Sequence, residues 1–242
     1  MNLARAYVAA LHGAGMAAVG GALSLASLTT DATGSTAINT SAITTSGAQT
    51  YAAAGTAITI GSTSTLTGTD INLAGVVNAD AAANARALTV NASGTTTLGG
   101  NVGATTKLGR LTTDSAGTLT LSSVTSNVNA TTVTFNDAVT LGTGTTVTGA
   151  DINLNAAVTA GANTLTLNGS GTTAINAAIT GTGAIVTDAA GTTRIGADVS
   201  NTGAAQTYND AVLIAANTTL SGTIITFADT HSMPIWHSTT VS

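Results

Sequence analysis

LTVNASGTTTL occupies residues 88–98, and LTLNGSGTTAI occupies residues 165–175. In each copy Leu and Val alternate with Thr and Asn, the period of two of a strand with one buried face. The alternation stops at Asn, Gly and Ser, residues that favour turns, and a second short alternation follows. One such pair fixes little. The same ordering elsewhere in the chain fixes a great deal.

LTTD at 28–31 returns as LTTD at 111–114 and as IVTD at 185–188. QTYAAA around Tyr51 returns as TFNDAV around Phe135 and QTYNDAV around Tyr208. LTGTDINL from Leu66 returns as VTGADINL from Val147 and as SGTIITF after Leu220. These motifs keep one order and nearly constant offsets, Leu28 to Leu111 to Ile185 running parallel to Tyr51 to Phe135 to Tyr208. A unit of about 75 to 85 residues thus occurs nearly three times, and repetition at a fixed period is the signature of stacked architectures.

A finer period lies inside this unit. Gly, two or three small or hydroxyl residues, then Leu or Ile recurs at Gly34, Gly94, Gly117, Gly171 and Gly191. The two short steps, Gly94 to Gly117 and Gly171 to Gly191, predict a coil of roughly 20 residues, within the range of stacked solenoid repeats. The long steps are then about three coils each, the large unit about four and the chain about twelve. TAITI (56–60), TLTL (118–121), TVTF (132–135) and TLTL (164–167) supply the short strands. Coils about 4.8 Å apart give a rod on the order of 55 Å. Apolar residues are expected to point inward and Thr outward, with stacked Asn forming amide ladders at the turns.

Composition agrees. Thr fills 52 of 242 positions, charged residues are 6% and aromatic residues 2%. A chain with so few large side chains suits a thin, layered core rather than a wide globular one. All ten acids are Asp, Lys107 is the one lysine, and the formal net charge is −5. Such a balance disfavours nucleic-acid binding, which relies on clustered Lys and Arg. The absence of cysteine excludes disulfides and thiolate ligands.

The repeat array is expected over 19–227, since Val19–Asp31 already matches Val102–Asp114. Residues 1–18 form a divergent N-terminal segment. Residues 228–242, with Pro234, Trp236, His231 and His237, form a tail or cap. The apolar stretch 6–28 after Arg5 has a signal-peptide reading, with a small-residue site near Ser24–Ala26, and a membrane-span reading. Its Gly and Ala content, His12 and the repeats in its last third favour a divergent first coil or a fragment boundary.

No residue is expected to be catalytic, cofactor-binding or metal-ligating. Seven acids fall at repeat-equivalent places: Asp31, Asp114 and Asp188; Asp70 and Asp151; Asp137 and Asp210. A catalytic pair needs two carboxylates in unlike environments converging on one substrate, whereas copies in every unit mark turns. The Asp-containing calcium nonapeptide and the EF-hand loop are both absent. His12, His231 and His237 have no ligand spacing, and His231 and His237 sit with Asp229 in the tail. No Ser lies in a G-x-S-x-G elbow, and GGNVG (99–103) lacks the ending of a phosphate loop. Sequons at Asn39, Asn91, Asn129, Asn168 and Asn217 are what chance supplies in so Asn- and Thr-rich a chain.

LTTDATGSTAI, GAQTY, LTGTDINL and LTVNASGTTTLGGNV resemble the repeats of filamentous-haemagglutinin-like adhesins and related autotransporter-type β-strand-repeat proteins. The resemblance covers 19–227. It implies an all-β, right-handed parallel β-helix, export to the bacterial cell surface, and attachment to host cells, other bacteria or an extracellular polymer. It carries over no functional residue. The expected function is therefore a non-catalytic structural or adhesive stalk, part of a larger parent chain, with no cofactor and no nucleic-acid partner.

Two rivals stay open. Ice binding would use T-x-T on a flat face, but the starts at Thr118, Thr132, Thr146 and Thr164 do not repeat at the coil length. A polysaccharide-active β-helix enzyme would need basic and acidic residues clustered in a groove. Arg86, Lys107, Arg110 and Arg194 are sparse for that.

Overall fold

Each apolar alternation is soon cut by Gly, Asn, Asp or Ser, so most strands reach only three to five residues before the chain turns. Three strands and three corners make one coil of about 21 residues, and the coils stack as a parallel β-solenoid. The computed structural model describes residues 8–11, 17–19, 24–30, 34–51, 55–123, 126–228 and 239–241. Every strand pair within them is parallel, and coil length varies between the step from Ala17 to Thr36 and the longer step from Val102 to Val128. Segments one coil apart therefore lie directly on one another.

The first face extends furthest, stacking 12 strands from Val8–Leu11 to Thr239–Val241. The second begins at Ala17–Val19, thins to single bridges at Val102, and continues to Ile225–Phe227. The third runs from Ser24–Leu25 to Ala211–Ile214. Ser126–Phe135 rounds a corner unbroken: its first residues pair on the second face with Thr145–Thr148, its last on the third with Asp151–Leu154.

The sequence repeat and the coil are out of phase. LTGTDINL spans the corner from third face to first, VTGADINL that from second to third, and SGTIITF that from first to second. LTTD and its relatives lie on the first, third and second faces in turn. Each step of the unit crosses eleven faces, counting Val102 as one. With three faces to a coil, the unit is three and two-thirds coils, not the four expected. The reason is that the three faces share length, alternation and core chemistry, so a duplicated segment can enter at any of them.

The core is a column of Leu, Ile and Val running the length of the solenoid, with Ile58, Leu66, Leu88, Leu111, Ile152, Leu167, Ile195 and Leu220 all fully buried. Gly117 and Gly191, one unit apart, adopt φ of 90° and 82° at the start of strands, where any side chain would press on a neighbouring coil's carbonyl. The expectation that Thr lines the outside needs correction. Thr96, Thr113, Thr173, Thr187 and Thr193 are buried. Thr has the β-branched shape of Val, and near a corner its hydroxyl can meet turn backbone: Thr113 Oγ1 accepts the Asn136 and Asp137 N–H groups at 3.1 and 3.2 Å.

One polar pair is also sealed inside. Tyr51 donates its hydroxyl to Gln49 Oε1 at 2.7 Å, and Gln49 Nε2 reaches Thr67 O at 2.8 Å. Tyr208 and Gln206 repeat this at 2.9 Å, with Gln206 Nε2 on Ser221 O at 2.8 Å. In the middle unit Val133 and Phe135 occupy both places. The pair is kept or replaced together, because a lone buried amide oxygen would lose its donor.

Candidate functional site

The repeat-equivalent acids do backbone work. Asp70 Oδ1 accepts the Thr95 N–H (2.8 Å), Asp151 Oδ1 that of Thr172 (3.2 Å) and Asp198 Oδ1 that of Thr219 (2.8 Å), each from the following coil. Asp114 and Asp188 reach back to Ala92 N and Gly169 N at 3.1 and 3.0 Å. They staple coils together at corners, as the turn reading requires. Asp31, Asp229, His12, His231 and His237 lie outside the described residues, as do 12–16 and 20–23 of the apolar stretch. Among the described residues no group of three His, Cys, Asp or Glu is placed to hold a metal ion, and no helix is long and apolar enough to cross a membrane.

Asp137 and Asp210 differ from the rest. Both are about 1% exposed. Asp210 accepts Thr187 Oγ1 and Thr193 Oγ1, each at 2.7 Å; burial pushes its carboxyl up, and these hydroxyls draw it back down. Burial, with the Asp114 carboxylate adding to it and the Thr113 hydroxyl opposing, pushes Asp137 up to about 6. That opposition is weak, because no donor among the described residues reaches either Asp137 carboxylate oxygen with hydrogen-bonding geometry. The neighbouring carboxylates Asp114 and Asp188 add to the upward push on Asp137 and Asp210, and both of these are closed off from solvent.

The basic residues are dispersed. Arg86 forks onto Asp80 at 2.8 and 2.9 Å and holds that carboxyl well below the usual range. Arg194 donates to Asn176 Oδ1 (2.9 Å) at the end of an amide ladder, Asn176 to Asn155 to Asn136, with steps of 2.8 Å. This is the ladder the sequence led one to expect. Arg110 is exposed on the third face, and Lys107 stands at a corner.

Two surface features come only from register. The first face carries an outward rank of Thr29, Thr50, Asn72, Thr97, Thr120, Thr140, Thr159, Thr180, Ser200 and Ser221, each paired with the next. The T-x-T runs that suggested an array start instead on different faces: Thr118 on the first, Thr132 on the third and Thr146 on the second. The true rank escaped the sequence because most of its strands contribute a single outward hydroxyl.

The second feature is a groove of about 250 Å³ along the corner between second and third faces. One bank is the stacked rank Asn129, Thr148 and Asn168, followed by Asp188; Thr131 and Ser170 form the other. Ala130, Gly149 and Ala150 make its floor, and Lys107 lies at one end. A Cβ on Gly149 would meet Ala130 O at 3.0 Å, a tight contact with the adjacent coil. Asn129 and Asn168 stood out in the sequence only as sequons. Their separation, near two coils, was the available signal. The chain matches no protein-family model, no curated protein and no solved structure.

Proposed function

We propose that the chain is a non-catalytic stalk segment of a large secreted or surface-attached bacterial adhesin, working by length, stiffness and a periodic hydroxyl- and amide-bearing surface. One observation carries this reading: the unit of three and two-thirds coils stacks on its neighbour in continuous parallel pairing while turning each motif to a new face. Such a unit can be multiplied without disturbing the core, because each coil touches only its neighbours. The resemblance of the repeats to filamentous-haemagglutinin-like adhesins supports the same reading. So does the use of five acids as turn staples. The test is to join this repeat region in tandem and image the rods by electron microscopy, alongside adhesion of the purified chain to cell layers. Each added unit should lengthen the rod by about 18 Å at constant width. Globular particles, or no adhesion, would refute it.

The first-face rank favours a second reading, ice binding, since ten outward polar residues stand at strand spacing in one line. The rank is double in few strands: Thr95 beside Thr97 and Thr118 beside Thr120 are the fullest. Thermal hysteresis in a purified sample, abolished by Thr120→Lys with Thr140→Lys, is its test. Its absence removes this reading and leaves the first untouched.

A further inference from the structure

The corner between the second and third faces is where the coils depart most from regularity. In one coil it widens into residues 80–86, a 3-10 turn at Ala82–Asn84 closed by the Asp80–Arg86 ion pair, with Ala85 at φ 44°. In the next it widens again at 103–107, where Asn78 Oδ1 holds the Thr105 and Thr106 N–H groups at 2.9 and 3.1 Å. Insertions confined to one edge of a solenoid commonly mark its binding side. The groove begins at this swelling, at Lys107, and follows the same edge to Asp188.

Its chemistry is specific. The side chains of Asn129, Asn168, Thr131, Thr148 and Ser170 make no hydrogen bond to any described residue, nor does Lys107. That differs from Asn136, Asn155 and Asn176, whose amides are used up in their ladder. Amide and hydroxyl side chains thus line an open trough with one cation, one anion, no aromatic ring and no apolar side chain larger than Ala. A volume of about 250 Å³ is below the roughly 300 to 1,000 Å³ of sites that enclose small molecules. The trough suits a short stretch of a chain that continues past both ends. Rungs about 4.8 Å apart offer an amide or a hydroxyl group to successive residues of an extended ligand.

We propose that this groove binds a neutral, polyhydroxylated polymer, a linear polysaccharide lying along the solenoid axis, with the Asn129 and Asn168 amides as its main hydrogen-bonding groups. The proposal rests on the adhesive reading and gives it a ligand class and a place. Net neutrality of the lining argues against an acidic glycan, and the lack of any large apolar side chain argues against a peptide anchored by side chains.

The test uses the full 242-residue chain with neutral hexasaccharides of glucose, mannose and N-acetylglucosamine, followed by NMR of the side-chain amides. At least one should shift Asn129 and Asn168 together. Asn129→Ala with Asn168→Ala should weaken binding roughly tenfold, the loss of one or two hydrogen bonds. Thr148→Arg, which fills the trough from its middle rung, should abolish binding. Asn72→Ala on the first face should change nothing, and hydrogen exchange should show all variants folded. Silence at both amides, or shifts produced only by an acidic oligosaccharide or a peptide, would overturn the proposal. Adhesion to cell layers is measured in parallel. If adhesion persists in the double variant while the groove stays silent, the groove proposal alone fails. If the groove responds but the parent chain does not adhere, the adhesive reading alone fails.

Discussion

Thr193 Oγ1 donates to Asp210 Oδ2 at 2.7 Å, and one unit earlier, where Asp137 is the equivalent acid, the position of Thr193 is held by Leu119, each pairing with the strand that follows its acid. That single exchange removes a donor from a buried acid. It contributes to leaving both Asp137 oxygens without a partner, and with them a carboxyl pushed up to about 6.

The raised value sets a pH dependence. Asp137 titrates near 6 folded, against about 3.9 in an unfolded chain. The folded state therefore holds this proton more tightly. The stabilisation is complete below about pH 4 and lost as pH rises through about 6. Between pH 4 and 7.5 the parent should lose on the order of 2 kcal/mol more than Asp137→Asn. Leu119→Thr should lower the Asp137 titration midpoint, read by carboxyl carbon NMR. An unchanged midpoint would contradict the assignment of cause.

The Gln206–Tyr208 pair predicts a double-mutant cycle. Tyr208→Phe alone leaves Gln206 Oε1 buried without its donor and should cost about 1 to 3 kcal/mol. Gln206→Val added to it recreates the middle unit's Val133 and Phe135, and should recover most of the loss. Urea denaturation gives both numbers. Additive losses would show that the pair is not coupled.

Ile152 is fully buried between Val133 and Thr173 of the adjacent coils. Ile152→Asp places an unpaired charge in the column and should cost more than about 3 kcal/mol. Hydrogen exchange should rise over 132–135 and 172–175 while Ile58–Ile60 and Leu66 stay protected, since coils couple only to neighbours. Uniform loss of protection would mean the solenoid melts as one body.

Asn155 both donates to Asn136 and accepts from Asn176. Asn155→Ala should cost about 1 kcal/mol, even though the ladder is exposed, whereas Asn72→Ala should be near neutral. Equal effects in chemical denaturation would assign the ladder no stabilising part.

Legibility in the sequence followed the chemistry of each feature. Strands such as Leu165–Gly169 and the turn acids Asp70 and Asp151 could be read directly, because alternation and turn chemistry are local. The inward Thr96 and Thr173 could not. In a Thr-Thr doublet either residue can face the core, and only pairing with the next coil chooses. The groove was hidden for a related reason: Asn129, Thr148 and Asn168 are remote in sequence and meet through register alone.

The amino-acid order by itself determined that this chain repeats, that it forms short parallel strands, and that its coil is close to twenty residues. Those properties follow from side-chain alternation and turn residues, which act over a few positions. Only the tertiary structure decided which face each motif occupies, because eleven faces to a unit and three to a coil share no common factor. Phase between the two periods is set by packing of one coil on the next, and no local stretch encodes it.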